Sequence, residues 1–228
     1  MEGGDGVTRS LFVTAAFGIG CTAAPAPQPS PATDSARSLA FPSPSARADT
    51  AAATLIPVGY GTLRQDDIAI RLEPNSVVVK LIPTDESVIR TLAPDSYRTL
   101  HGVVESRRET IARNAALRGL RRANVWYGEF TALVPDARFT PTDLTVTSGG
   151  RDFRPLEVLP LTRGFGQQRL QPRENQQALF LFDDAVDVSQ PLTVTMANER
   201  NTDWESILRR IERERTQIRA RAVAQPKP

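Results

Sequence analysis

Between Arg122 and Asn201 the chain offers five strand-like runs and no stretch with a helical period. The runs are "NVWYGEFTALV" (124–134), "DLTVT" (143–147), "DFRPLEVLPL" (152–161), "QALFLFD" (177–183) and "PLTVTM" (191–196). Parallel strands need long crossovers, usually helical, whereas antiparallel strands can follow one another through short turns. The pattern therefore argues against a parallel α/β sheet and predicts antiparallel pairing. Ser148-Gly149-Gly150 marks a turn between two of the runs. "ALFLF" is apolar on both parities, which predicts a strand covered on both faces. Trp126 and Tyr127 fall on opposite faces of their strand, so at least one is core.

Upstream, "DDIAIRLEP" alternates Ile68, Ile70 and Leu72 with polar or small residues, and "SVVVKLIP" is rich in β-branched residues. Pro74-Asn75 between them predicts a hairpin. Thr84-Asp85-Glu86 opens a short helix, because acids favour the positive end of the helix dipole. One helix is predicted from Pro94 to Arg118, with Tyr97, Leu100, Val104, Ile111 and Ala115 on its apolar face and Gly119 as its cap. A last helix is predicted over 203–222. Thr202 and Glu205 have the capping-box spacing, and Trp204, Leu208, Ile211 and Ile218 form the stripe. Its arginines are read as a solvated face paired with Glu205, Glu212 and Glu214. About seven strands, a helical insertion near 85–118 and a terminal helix make the expected fold mainly β. The expected architecture is one antiparallel β-sandwich, immunoglobulin-like or transthyretin-like, over residues 55–224, with a short tail at 225–228.

Residues 1–54 follow a different logic. Arg9 precedes the apolar run Ser10 to Gly20, which is too short to cross a bilayer comfortably, and small residues follow. The only cysteine, Cys21, stands directly after Gly18-Ile19-Gly20. This layout resembles the lipobox of bacterial lipoproteins, with Gly18 in the place where leucine is usual. The resemblance implies a signal peptide over 1–20, cleavage before Cys21 and a diacylglyceryl group on its thiol. Residues 21–54 are Ala/Pro/Ser-rich and bury too little apolar surface to offset ordering entropy. They read as a disordered tether reaching at most about 3 Å per residue. The expected location is the cell envelope, lipid-anchored at the outer membrane and facing the periplasm or the cell surface. Thr22 follows the cysteine, where an aspartate would have hinted at inner-membrane retention.

Composition removes several chemistries. One cysteine and one histidine, His101, cannot supply a Cys/His zinc site within one chain. The formal net charge is only +2, with arginines mixed among acids, so nucleic acid is not an expected partner. No cofactor is expected. His101 reads as a surface side chain, since no nucleophile motif accompanies it. Asp183, Asp184 and Asp187 are weak candidates for a hard cation. Their spacing is not that of an EF-hand, so a solvated strand end is preferred and no metal is expected. The segment "RGFGQQR" (163–169) is the candidate contact loop for an anion or a partner, with charge from Arg163 and Arg169 and an exposed apolar contact from Phe165.

These readings favour a lipid-anchored envelope protein, not an enzyme, whose sandwich binds another envelope protein or serves assembly. The alternatives are a carbohydrate- or small-ligand-binding module, or an envelope hydrolase using carboxylates such as Asp152, Asp183 or Asp184. The hydrolase would need two carboxylates at a set separation, and the sequence does not place them. Oligomeric state is not legible.

Overall fold

The computed structural model describes residues 55–165 and 169–224. The signal, Cys21, the tether and the 225–228 tail lie outside the described residues.

The fold is mainly β and antiparallel. The first sheet has five strands in the order β1 (Ile70–Leu72), β2 (Val77–Pro83), β3 (Asn124–Ala132), β9 (Asn175–Phe182) and β7 (Glu157–Pro160). The second has four, in the order β11 (Glu199–Asn201), β10 (Leu192–Met196), β5 (Leu144–Ser148) and β6 (Arg151–Phe153). A two-residue pair joins β4 (Ala137–Arg138) to β8 (Arg169–Leu170). The sheets meet at one corner, where Asn201 Nδ2 of β11 donates to the Arg71 carbonyl of β1 at 3.1 Å. They share one continuous apolar core, the sandwich arrangement.

Strand burial follows the two-residue period. In β5 and β10 the residues Leu144, Val146, Leu192, Val194 and Met196 are buried, and the threonines between them are half-buried. In β9, Ala178 through Phe182 are all buried, because the sheet is covered on both sides there. Phe180 lies against Phe130 and Phe182 against Trp126, which in turn meets Trp204. On the opposite face, Leu181 shares an apolar pocket with Ala115 and Leu120 of the helical insertion. The β5–β6 turn keeps Gly149 and Gly150 at φ of 57° and 76°, the left-handed pair that a two-residue hairpin turn favours.

Several elements differ from expectation for identifiable reasons. The strand expected from Asp67 begins as a helical turn, α1 (Gln65–Ile68), because the Asp67 carboxylate accepts the Arg64 amide at 2.8 Å. The insertion holds α2 (Glu86–Ile89) and then two helices in place of one, α3 (Pro94–Ser106) and α4 (Arg108–Leu117), broken at Arg107 (φ −113°, ψ 7°). The run 152–161 is two strands in different sheets, β6 and β7. Pro155 lacks an N–H for a ladder, and the chain crosses from one sheet to the other beside it. With β4, β8 and β11 also present, the described residues hold eleven strands. The last helix, α5 (Trp204–Ala224), starts one residue after the capping-box reading. The Asp203 carbonyl, not that of Thr202, accepts the Ile207 amide at 3.0 Å.

Candidate functional site

The helical insertion and the start of β3 enclose two adjoining clefts. One, of about 300 Å³, is lined by Glu86, His101, Glu105 and Arg108 among others. The other, of about 230 Å³, runs towards Asp184, Asp187 and Ser189. They share Asp85, Arg122, Ala123 and Asn124.

Local rules build this wall. Asp85 caps α2, its Oδ1 accepting the Ser87 amide at 2.8 Å. Its other oxygen receives Arg122 at 2.6 Å, which ties α2 to the segment entering β3. Thr84 donates its amide and its hydroxyl to the Val125 carbonyl, at 2.9 and 2.8 Å. Asn124 donates to the Val186 carbonyl at 2.8 Å and accepts from the Trp126 indole at 2.8 Å. The polar lining is therefore held from behind by backbone and by the core.

Glu86 organises the larger cleft. Its Oε2 accepts from Arg90 Nε at 2.5 Å and from the Tyr97 hydroxyl at 3.3 Å. Its Oε1 lies 2.9 Å from His101 Nδ1. A carboxylate oxygen accepts, so the proton of that bond belongs to Nδ1. The His101 ring stacks on Tyr97, with centroids 5.1 Å apart and planes 20° from parallel. Burial, and then the neighbouring Glu86 charge, push the Tyr97 hydroxyl above its ordinary pKa. The His101 side chain is 41% exposed, at the surface as expected, and is oriented there by Glu86 and Tyr97. The spacing of Tyr97 and His101 on one helix was open to reading. Glu86, from another helix, was not.

The other candidates are not brought together. Phe165 is only 3% exposed and sits in a cluster with Phe130 and Phe139, at 5.7 and 5.5 Å. Its role as an exposed contact is corrected: the aromatic core outweighs its glycine-flanked setting. Arg163 is exposed. The backbone of Arg169 pairs with Arg138 in β8, and its side chain lies outside the described residues, as do 166–168. Asp183 accepts the Ala185 amide at 2.9 Å, and Asp187 accepts the amide and hydroxyl of Ser189 at 2.9 and 2.6 Å. These carboxylates close local turns. Among the described residues no three His, Cys, Asp or Glu side chains are grouped to hold a metal ion. Nor is any described helix long and apolar enough to cross a membrane.

No protein-family model, curated protein or solved structure matches the chain.

Proposed function

We propose that the chain is a lipid-anchored protein of the bacterial cell envelope whose β-sandwich acts as a protein-binding or assembly module. The anchor is Cys21, and the tether over 21–54 lets the domain reach a partner away from the membrane. One observation carries the binding role. The two clefts adjoin across Asp85 and Arg122, which are paired with each other, and Asp85 is fixed in turn by the Ser87 amide. Two adjoining open clefts with a pre-formed ion pair between them suit a polypeptide segment. A small ligand, by contrast, is usually largely enclosed in one deeper pocket.

The test places a photo-crosslinking amino acid at Glu105 in one cleft, at Ser189 in the other, and at Glu205 on the exposed start of α5. The same envelope protein should be captured from Glu105 and Ser189 but not from Glu205. Arg122→Glu should abolish both captures, because it turns the shared ion pair into a repulsive one. Equal capture at all three positions, or capture that survives Arg122→Glu, would overturn the two clefts as the binding surface.

A further inference from the structure

Positive charge is concentrated in one short segment, residues 107–122, which runs through α4 and the turn that follows it. Residues 107–122 contain six arginines and one acid, Glu109, whereas the whole chain has a net charge of only +2. The remainder of the chain is therefore net negative. All six arginines are exposed. Three have partners: Arg108 with Glu105 at 3.7 Å, Arg118 with the Leu156 carbonyl at 2.8 Å, and Arg122 with Asp85. Among the described residues, no carboxylate or hydrogen-bond acceptor meets the side chains of Arg107, Arg113 or Arg121. Leu117 lies four residues after Arg113 on the same outward side of α4. It is 76% exposed, far more than an apolar residue needs to be on a helix that buries Ala115 against the sheet.

We infer that the exposed arginine-rich surface of residues 107–122, with Leu117 protruding from it, is a contact surface for an anionic lipid bilayer. Unpaired guanidinium groups match phosphate head groups, and a protruding leucine matches the acyl boundary beneath them. The same charge could suggest nucleic acid, but the exposed large apolar residues among those described are Val58, Leu117, Leu133, Val134 and Val223, none of them aromatic. Stacking platforms for bases are thus missing from this face. A single acyl chain binds membranes only marginally, and a basic patch is the usual second signal. The inference extends the anchoring reading but does not depend on it.

The test uses the full chain carrying Cys21→Ser, so that no acyl group contributes. Its co-sedimentation is measured with vesicles of phosphatidylcholine alone and of equal parts phosphatidylcholine and phosphatidylglycerol. Binding should appear only with the anionic vesicles. It should weaken steeply from 0.1 M to 1 M salt, as the screening length falls from about 10 Å to about 3 Å. Changing Arg107, Arg113 and Arg121 together to glutamine should lower affinity about a hundredfold, or about fivefold per arginine. Leu117→Gln should lower it further. None of these residues has a partner to lose, so circular dichroism should be unchanged. A control with Arg209, Arg213 and Arg219 of α5 changed to glutamine should bind as the parent does. Equal binding to neutral vesicles, indifference to the triple change, or tighter capture by single-stranded RNA than by anionic vesicles would each overturn the inference. Because the chain tested is unacylated, failure here leaves the lipid anchor standing.

Discussion

Glu214, 5% exposed near the middle of α5, accepts both the amide and the hydroxyl of Thr62, 152 positions earlier, at 2.9 Å each. Arg221, two turns further on, donates to the same carboxylate oxygen, Oε1, at 2.8 Å and also to the Tyr60 carbonyl at 2.7 Å. The buried acid is thus the clasp between the terminal helix and the segment that leads into β1. Glu214→Ala should cost about 2–3 kcal/mol, since it strands two Thr62 donors and Arg221, which is partly re-solvated. In a domain of this size, that is a fall in Tm of about 4–12 °C. Glu214→Gln should cost about 1 kcal/mol, because an acceptor for Thr62 remains. Hydrogen exchange at the Thr62 amide should accelerate in the alanine variant. An unchanged Tm would refute the clasp.

Gly128 leaves room for an aromatic ring. A Cβ at this position in β3 would lie 2.5 Å from Cε2 and 3.0 Å from Cδ2 of the buried Phe180. Gly128→Ala should destabilise by about 1–3 kcal/mol through overpacking. Phe180→Leu should be less harmful in the Gly128→Ala background than in the parent. Urea unfolding of the four proteins measures this coupling, and strict additivity would show that the ring is not the obstacle.

Phe165 is a core residue in a segment that reads as a loop. Phe165→Ala should cost about 3–5 kcal/mol, as is usual for deleting a buried aromatic side chain. Arg163→Ala, two residues away and exposed, should change stability by less than about 0.5 kcal/mol. Thermal melts of the two variants separate the roles. A mild effect of Phe165→Ala would return this residue to the surface.

The alkaline limb of stability should be set by tyrosine. Burial, reinforced by Glu129, raises the Tyr127 hydroxyl well above its ordinary value. A group whose folded pKa is raised stabilises the fold fully below its unfolded pKa, about 10 for tyrosine, and this contribution is lost as pH climbs beyond it. Stability should therefore decline above about pH 10, and the decline should be shallower in Tyr127→Phe. Absorbance titration at the phenolate band should show Tyr127 ionising late or only with unfolding. Ionisation of Tyr127 near pH 10 in the folded protein would contradict this.

Strands whose burial follows a simple period were legible in the sequence. Val77–Pro83, Leu144–Ser148 and the doubly covered Ala178–Phe182 follow from alternation or from its absence. Elements decided by tertiary contacts were not legible. The 152–161 run is strand-like throughout, and only Pro155 hints that its halves enter different sheets. Nothing local marks the break at Arg107, where neither proline nor glycine stands. The two-residue strands β4 and β8 are too short to display a period. At the site, the pairing of Glu86 with His101 links residues 15 apart across two helices. The crowding of arginines over 107–122 is plain in the sequence, but that all six are exposed is shown only by the fold.

The most direct measurement on the whole account is the mass of the N-terminal peptide of the full-length protein, expressed in a bacterium with two membranes and recovered from its membrane fraction. The account predicts a peptide that begins at Cys21 and carries a diacylglyceryl group. An unmodified peptide from the soluble fraction, or one cut at another position, would contradict the anchor and with it the envelope role proposed for the domain.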